Sequence, residues 1–412
     1  MIRLNTSNKH KILNDPIYGF ISIPDPLIFD LLEDPHFQRL RRISQMGLSY
    51  LVYPGAHHTR FHHALGCMHL MTKAVDVLRI KGIEISDQER QGLQIAILLH
   101  DIGHGPFSHA MEQSIVEGIH HEKLSLMFME SLNKKYNGSL DLAIALFSGN
   151  YHRKFFNQLI ASQLDMDRLD YLKRDSFYTG VAEGSINSER MISMLHVQND
   201  TLVIEKKGIY SVEKFLVARR LMYWQVYLHK TSFAAEGVII RVLKRAKELV
   251  QSGIQLPCSD ALAYFLSHKI GPHNFDEDTL HLFSQLDDYD VVSALKSWQS
   301  HTDFVLSSLS KMIINRQLPQ IKIQAKPFKD SDLIAKKKSL MQSNQLTMHE
   351  ASYFVFDGIM ENVAYDKNKP PIFILSKSKK MTDVIDASDQ LNLHALSKAV
   401  QKYFVCYPKG IL

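Results

Sequence analysis

Apolar residues recur at helical spacing along most of the chain up to about residue 310, which predicts a mainly α-helical protein. The clearest segments are 29–46, 64–80, 87–100, 121–133 and 212–250. Gly103 and Gly105, followed by Pro106, indicate that the third of these helices does not extend past this point.

Two short extended pieces interrupt the helices. The first is residues 17–23, after Asp15-Pro16, and the second is residues 202–204 with 209–212, which flank Lys207-Gly208 in the manner of a hairpin. Past about residue 315, β-rich runs occur at 321–323, 353–356 and 372–375. The pattern predicts a helical core with short β-hairpins over residues 1–310 and a smaller C-terminal α+β region over residues 311–412.

Composition changes this picture little. Hydrophobic residues make up 45% of the 412 residues and charged residues 22%, as in ordinary globular proteins. The net charge of +5 suits an anionic substrate but is far weaker than the basic bias of dedicated nucleic-acid-binding proteins. Lysine and arginine occur in short clusters that are typical of solvated faces, so nucleic acid is not expected as a partner.

The three cysteines, Cys67, Cys258 and Cys406, are widely spaced and odd in number, which excludes a disulfide framework and favours a reducing compartment. The sequence starts without an apolar run, and no stretch approaches the roughly 18 apolar residues of a membrane span. We therefore expect a cytoplasmic protein that does not enter a membrane.

Histidine is unusually frequent, with 21 residues, many of them between positions 57 and 121. The segment LHDIGHGPFSH at 99–109 places His100 and Asp101 at the end of an apolar helix, where a nitrogen and an oxygen ligand can converge on one cation. A lone His-Asp pair is more often structural. Three histidines separated by small residues, however, would each need a buried hydrogen-bond partner, so packing alone does not account for them.

Two further ligands are needed to hold one ion while leaving positions open for water and substrate. The candidates are His63, in the segment RFHHA, and Asp167, in the segment DMDR. This mixed donor set suits one divalent transition metal, namely Mn, Fe, Ni or Zn, and tolerates Mg less well. The nearby histidines His57, His58 and His62 could support the ligands through hydrogen bonds, but they are interpreted as solvated loop residues.

The segment DMDRLDYLKRD at 165–175 combines charge with a ring. On a helix, one face carries Asp167, Asp170 or Tyr171, and Arg174 or Asp175 at spacings of three and four. Alone, this face is typical of a salt-bridged surface stripe. Together with the histidine segment, it favours a functional site.

In this order the motifs resemble the HD-domain deoxynucleoside triphosphate triphosphohydrolases, a family with bacterial members and the mammalian SAM- and HD-domain protein. The resemblance extends from about Lys11 to Lys230, and its specificity comes from the ordered series rather than from any single motif. The series is IYG at 17–19, FQRLR at 37–41, QMG at 45–47, YPGA at 53–56, His63, HDIGHGPFSH at 100–109, HE at 121–122 and DRLDYLKRD at 167–175.

The resemblance implies an HD-domain fold and a set of roles by motif. The metal ligands would be His63, His100, Asp101 and Asp167. The catalytic-pocket residues would be His104, His109, Glu112 and His121. Glu112 departs from the aspartate of the mammalian protein by one methylene, which puts its alignment with His121 in doubt.

The substrate implied by the resemblance is a deoxynucleoside triphosphate, as in a dGTPase or dNTPase. Its contacts would be Gln45, Arg60, Arg168, Tyr171, Asp175, Tyr227 and Lys230. The two arginines and Lys230 would hold phosphate, and Gln45, Tyr171 and Asp175 would hold the deoxyribose. Tyr227 would occupy the space of a 2′-hydroxyl and so exclude ribonucleotides.

The implied reaction releases deoxynucleoside and tripolyphosphate, with His109 or His121 donating a proton to the departing 5′-oxygen. Family members assemble as homo-oligomers, dimers or tetramers, with nucleotide activator sites between subunits. The residues at the activator positions are Lys11, Ile12, Glu33, Gln38 and Arg41. We expect a homo-oligomer and leave the activator site open.

Two other functions fit the same motifs. An HD phosphohydrolase acting on another nucleotide phosphoester would need the same metal site, and a non-catalytic protein would use it to sense nucleotides or nucleic acid. The predicted deoxyribose contacts favour a deoxynucleoside triphosphate over other phosphoesters. The intact ligand set and the three pocket histidines argue against loss of catalysis.

Overall fold

The computed structural model describes residues 11–23, 25–107, 109–389 and 393–410. This part of the chain is mainly helical with short strands, which confirms the fold class predicted from apolar spacing. Within it, no helix combines the length and the apolar character needed to cross a membrane.

The first ten helices are α1 (Pro26–Leu32), α2 (Pro35–Gln38), α3 (Arg60–Ile80), α4 (Asp87–Leu99), α5 (His109–Glu112), α6 (His121–Lys135), α7 (Asp141–Phe147), α8 (Lys154–Ile160), α9 (Met166–Thr179) and α10 (Ser188–Ser193). The next are α11 (Ile209–Met222), α12 (Lys230–Gln251), α13 (Asp260–Ser267), α14 (Glu277–Phe283), α15 (Asp288–Trp298), α16 (Phe304–Ile314), α17 (Asp330–Asn344), α18 (Met348–Phe354), α19 (Val384–Ala387) and α20 (Leu393–Leu396). Short 3-10 helices lie at Arg39–Arg42, Gly47–Leu51, Ala182–Gly184 and Lys206–Gly208, and a π-helical turn lies at Tyr223–Tyr227.

The strands are β1 (Lys11–Asp15), β2 (Gly19–Ile23), β3 (Leu195–Gln198), β4 (Thr201–Glu205), β5 (Gln320–Gln324), β6 (Phe356–Asn362), β7 (Phe373–Leu375), β8 (Met381–Asp383) and β9 (Val400–Tyr407). They form a β1-β2 hairpin, a sheet of order β3-β4-β7-β8 and a sheet of order β5-β9-β6. The pairing of β4 with β7 is parallel, and the other pairings are antiparallel.

Helix α3 lies at the centre of the core, where it packs against α4 and α9. Two glycines allow the close approach that the site requires. A Cβ added at Gly66 on α3 would lie 2.0 Å from Asp170 Oδ1 of α9, and one at Gly103 would lie 2.2 Å from the backbone nitrogen of Ser125 on α6. Any larger residue at either position would separate these helices.

Three of the predicted helices are confirmed, because α3, α4 and α6 contain almost all of residues 64–80, 87–100 and 121–133. The single helix predicted over 29–46 is wrong. Asp34 is extended, with φ −66° and ψ 135°, because the residue before a proline is disfavoured in the helical region. Pro35 therefore starts a new helix, α2, and the first segment ends at Leu32.

The helix predicted over 212–250 is also interrupted. It consists of α11, the π-helical turn and α12, with the break at residues 228–229. His229 is the N-cap of α12, and its side chain accepts a hydrogen bond from the backbone of Thr231. Periodicity did not reveal this break because apolar residues continue through it.

The hairpin predicted around Lys207-Gly208 is wrong, since residues 209–212 begin α11. Strand β4 pairs instead with β3, across a turn at Asn199 and Asp200. Both turn residues have positive φ, 51° and 54°, as a two-residue type I′ turn requires, and asparagine and aspartate tolerate that conformation better than most residues.

Among the β-rich runs, 321–323 and 372–375 are confirmed by β5 and β7, whereas 353–356 is only partly a strand. Thr347 and Glu350 form a capping box that starts helix α18, which continues to Phe354. The boundary near residue 310 stays a prediction. The C-terminal strands β7 and β8 join the same sheet as β3 and β4 from the preceding part of the chain.

Candidate active site

Four side chains from three neighbouring helices converge in the core. His63 lies in the first turn of α3, His100 and Asp101 follow α4, and Asp167 lies in the first turn of α9. The Nε2 atom of His63 is 3.1 Å from Asp167 Oδ1 and 3.8 Å from Asp101 Oδ2. The Nε2 atom of His100 is 3.4 Å from Asp101 Oδ1 and 3.7 Å from Asp167 Oδ1. All four predicted ligands thus lie in one cluster, although the atoms that are all within 4.8 Å of one another belong to His63, His100 and Asp167 and not to Asp101.

With a cation in place of the proton on Nε2, both neutral histidines would present a nitrogen lone pair to it. The Nδ1 atom of His100 is 2.6 Å from the carbonyl oxygen of Ile97, to which it donates, so that Nε2 carries the lone pair. This Nε2 is buried and has no hydrogen-bond partner in the described residues. The Nδ1 atom of His63 similarly lies 2.8 Å from Asp170 Oδ2. A buried nitrogen acceptor beside carboxylates fits a divalent metal ion.

The electrostatics of the cluster also favour a cation at its centre. Burial lowers the pKa of His63, but its hydrogen bond to Asp167 contributes to raising that pKa well above its usual value. Burial also lowers the pKa of His100, but the charge of Asp101 and the interactions with Asp167 together more than offset it, so the pKa is raised. Burial raises the pKa of Asp101, yet the positive charge of His100 helps to hold it well below its usual range. The cluster therefore stabilises positive charge at its centre.

Cys67 is a possible donor that the sequence analysis missed. Its buried Sγ atom lies 3.6 Å from Nε2 of His63, and it forms one group with His63, His100 and Asp167, whose potential ligand atoms lie within 4.8 Å of one another. The signal was available in the sequence, because Cys67 follows His63 by four positions and residues at this spacing share a helix face.

A second group of histidines lies beside Asp101. The Nε2 atom of His104 is 3.2 Å from Asp101 Oδ1, and the rings of His104 and His121 stack with centroids 3.9 Å apart. The Nδ1 atom of His121 is 2.9 Å from Glu112 Oε1, so the longer carboxylate does reach this imidazole. Burial and then the charge of Arg60 lower the pKa of His104 well below its usual value, which leaves the imidazole neutral. The side chain of His109, the remaining predicted pocket histidine, lies outside the described part of the structure.

A cavity of about 840 Å³ opens beside the metal ligands. The predicted site residues that line it are Gln45, Arg60, Asp101, His104, His121, Asp167, Arg168, Tyr171, Asp175 and Tyr227. Lys230 is exposed at the first position of α12 and is not among the residues that line the cavity. Arg60 Nη1 lies 2.5 Å from Asp101 Oδ2, and Arg168 is ion-paired with Asp165, so both guanidinium groups are held at the cavity wall.

The carboxylate of Asp175 is held from both sides. Its Oδ1 is 2.7 Å from Nε2 of His58, and its Oδ2 accepts a hydrogen bond of 2.7 Å from the hydroxyl of Tyr227. His58 is only 1% exposed and stacks on Tyr178, so its interpretation as a solvated loop residue is wrong. His57 is exposed and stacks on Tyr50. The polarity of the surrounding loop concealed the burial of His58.

Two buried residues that were not predicted as site residues hold the loops of the site. The guanidinium of Arg39 donates to the carbonyl oxygens of Ile102, at 2.7 Å, and Leu286, at 3.1 Å. The carboxylate of Asp288 accepts from the backbone nitrogen of Ser44, at 2.8 Å, and from that of Phe107, at 3.1 Å. Asp288 was not predicted because it lies 181 positions from Phe107, which is the nearer of its two partners in the sequence.

The residues at the predicted activator positions form two surface pairs. Lys11 Nζ is 2.8 Å from Glu33 Oε1, and Arg41 Nε donates to Gln38 Oε1 at 2.8 Å. Ile12 is 62% exposed. An activator site at this surface stays a prediction.

Comparisons with known proteins give matching family models and a similar crystal structure. A family model described as the HD domain matches residues 60–175, and one described as the HD associated region matches residues 186–255. The chain is similar to a crystal structure of a phosphohydrolase from Bacteroides thetaiotaomicron VPI-5482. The two are 51% identical, with a TM-score of 0.94 over 97% of this chain and 100% of the other.

Two relatives known from sequence differ in how much of the chain they match. The uncharacterized protein YwfO of Bacillus subtilis is 32% identical over 92% of this chain and 87% of its own length. The deoxynucleoside triphosphate triphosphohydrolase SAMHD1 homolog of Dictyostelium discoideum is 31% identical over 60% of this chain and 51% of its own length. The likeness to the second protein is therefore limited to about half of that protein.

Proposed function

We propose, since the chain belongs to the family of HD-domain phosphohydrolases, that it hydrolyses deoxynucleoside triphosphates to deoxynucleoside and tripolyphosphate. One observation carries this proposal. The cavity that contains the carboxylates of Asp101 and Asp167 also contains the predicted deoxyribose contacts Tyr171, Asp175 and Tyr227. A nucleotide bound there would have its sugar and its phosphates beside the same metal centre.

We propose that His63, His100, Asp101 and Asp167 hold one divalent metal ion, and that it is a transition metal because two ligands are imidazoles. Such an ion supplies Lewis-acid chemistry, in that it polarises a phosphoryl oxygen and acidifies water. Asp170 would orient His63, and the backbone of Ile97 would orient His100, so that both imidazoles present Nε2 to the cation.

The proposed proton donor to the departing 5′-oxygen is His121, with His109 as the other candidate. His121 lines the cavity, and Glu112 contacts its Nδ1, which fixes the orientation of the ring and leaves Nε2 for the substrate. Arg60 and Arg168 line the same cavity and would neutralise charge on the triphosphate, because a guanidinium can donate to two oxygens at once.

The proposed sugar site depends on the fixed carboxylate of Asp175. His58 and Tyr227 hold its two oxygens, and the rings of Tyr171 and Tyr227 meet edge to face with centroids 6.0 Å apart. A rigid tyrosine at this wall leaves little room for a 2′-hydroxyl, which would account for selection of deoxyribose. Gln45, also on the cavity wall, would bind the 3′-hydroxyl. We further propose a cytoplasmic location and homo-oligomeric assembly.

The test is product analysis with the purified protein. Each of the four deoxynucleoside triphosphates is incubated with and without Mn, and the products are separated by ion exchange. The variant with both His100→Ala and Asp101→Ala is run alongside as a control for contaminating phosphatases. Deoxynucleoside with intact tripolyphosphate, absent from the variant, is the expected result. Phosphate or pyrophosphate products, or no turnover, would contradict the proposal and direct attention to another nucleotide phosphoester.

A further inference from the structure

The cavity extends well beyond the proposed sugar site. Helix α12 contributes cavity-lining residues from Ser232 to Arg241. Nine residue steps at a helical rise of 1.5 Å correspond to about 13.5 Å. The cavity therefore runs along α12 from the region of Tyr227 towards the C-terminal sheet, and the phosphate and sugar contacts proposed above do not use this length.

The far wall of the cavity comes from the C-terminal sheet. Phe356 and Asp357 at the start of β6 and Phe404 on β9 all line the cavity. Phe404 packs edge to face on Phe233 of α12, with centroids 4.9 Å apart. At Gly237 of α12, an added Cβ would lie 2.7 Å from the ring of Phe356, so glycine is what allows this ring to reach the helix.

Arg241 is the cation of this wall. Its guanidinium lies over the ring of Phe356, 3.4 Å from the centroid, and its Nη1 donates to the carbonyl oxygen of Gly237 at 2.9 Å. In the described residues no carboxylate forms an ion pair with it, although Asp357 lines the same wall. Burial lowers the pKa of Arg241 to about 10, which leaves it charged at neutral pH. It therefore has N–H groups available for a ligand.

We propose that this wall is the nucleobase subsite and that Arg241 determines base preference, an inference that rests on the proposed function. A planar base stacks favourably against aromatic and guanidinium planes. The N–H groups of Arg241 match the carbonyl and ring-nitrogen acceptors on a base edge, and the carboxylate of Asp357 matches its amino and imino donors. Arg60 and Arg168, next to the metal ligands, already serve the triphosphate.

The experiment compares kcat/KM for the four deoxynucleoside triphosphates in the wild type and in Arg241→Met. The matched control is Lys244→Met, which removes a positive charge from an exposed position of the same helix. The expected result is a change of about 10-fold or more in the ratio between the most and the least favoured bases in Arg241→Met. No such change is expected in the control. An equal loss for all four substrates would overturn the proposal, because it would mean that Arg241 contacts a part common to them.

Asp357→Asn provides a second variant, and it should fold normally because Asp357 is exposed on the surface of the cavity. It is expected to shift the base ratio as well, and an unchanged ratio in both variants would overturn the proposal. Binding of the four deoxynucleosides, which lack phosphate, is measured by calorimetry in the same proteins. Base-dependent binding that is lost in Arg241→Met supports the subsite even if no triphosphate is hydrolysed, an outcome that would reject only the proposed function. Binding that depends on neither base nor variant would reject the subsite.

Discussion

The Nδ1 atom of His63 lies 2.8 Å from Oδ2 of Asp170, and the same carboxylate is held by the guanidinium of Arg174. Asp170 is completely buried, so this contact fixes both the tautomer and the orientation of a proposed metal ligand. Burial raises the pKa of Asp170, but the charge of Arg174 and the contacts to His63 and Arg174 together outweigh it and hold the pKa at about 2. The carboxylate is therefore ionised over the physiological range.

Replacing this carboxylate is expected to weaken metal binding. Asp170→Asn should lower the affinity for a divalent transition metal by about 10- to 100-fold, because the imidazole of His63 loses its orienting partner. Metal affinity is measured by competition with a chelator. The matched control is Asp15→Asn, since Asp15 accepts a hydrogen bond from Nη1 of Arg174 but does not touch His63. An equal loss of affinity in both variants would show that Arg174, and not the contact to His63, is responsible.

The contact between Tyr227 and Asp175 makes a prediction about sugar selection. Tyr227→Ala is expected to open space at the sugar and to reduce the kcat/KM ratio of deoxyribonucleotide to ribonucleotide by about 10- to 100-fold. Tyr227→Phe is the matched variant, because it keeps the ring and removes only the hydroxyl that donates to Asp175. It should retain most of the discrimination. If the two variants lose discrimination equally, the hydrogen bond rather than the ring would be the cause.

The pair of His121 and Glu112 predicts a change in the pH profile. Glu112→Gln removes the carboxylate charge beside Nδ1 of His121, which should lower kcat by about 10- to 100-fold if His121 is the proton donor, and should shift the pH dependence of kcat. Glu112→Asp keeps the carboxylate and introduces the residue of the mammalian protein that the sequence resembles, so it should retain much of the activity that Glu112→Gln loses. A reduced kcat with an unchanged pH profile would indicate a structural role for Glu112 instead.

The ligand cluster was predictable because its motifs are local and chemically explicit. His100 and Asp101 are adjacent, and Asp167 lies within a charged segment whose helical face also contains Asp170. His63, in the distant segment RFHHA, was a candidate because two further ligands were needed, and the resemblance to a known family implied the same residue. The clustering of these ligands follows from the packing of α3 on α4 and α9, which Gly66 allows.

Residues that act through long-range contacts were not predictable in this way. His58 is in a polar loop, yet it is buried against Asp175, which lies 117 positions further along the chain. Arg39 reaches Leu286 across 247 positions, and Asp288 reaches Ser44 across 244. A periodicity pattern extends over one element only, so it contains no information about such pairs. The break in the helix predicted over 29–46 could have been predicted, because Pro35 is a local signal in the sequence.

Asp288 predicts a pH dependence of stability. Burial raises the pKa of this carboxyl to about 7, despite the hydrogen bonds from the backbone of Ser44 and Phe107, which lower it. Between about pH 4 and about pH 7, the folded protein therefore retains a proton that the unfolded chain has released. The contribution of this group to the free energy of unfolding is complete below about pH 4 and is lost as the pH rises through about 7.

The variant Asp288→Asn does not titrate, so this component of the pH dependence should disappear. Urea unfolding at about pH 5.5 and about pH 7.5 is compared in the two proteins, and the wild type should lose more stability than the variant on going to the higher pH. Asparagine has one acceptor oxygen, so Ser44 or Phe107 also loses a partner, at a cost of about 1–3 kcal/mol. Asp287→Asn, at the neighbouring N-cap, controls for loss of any carboxylate at this helix end. Parallel pH profiles for the wild type and Asp288→Asn would contradict the assignment, because the difference between them isolates the single proton on Asp288.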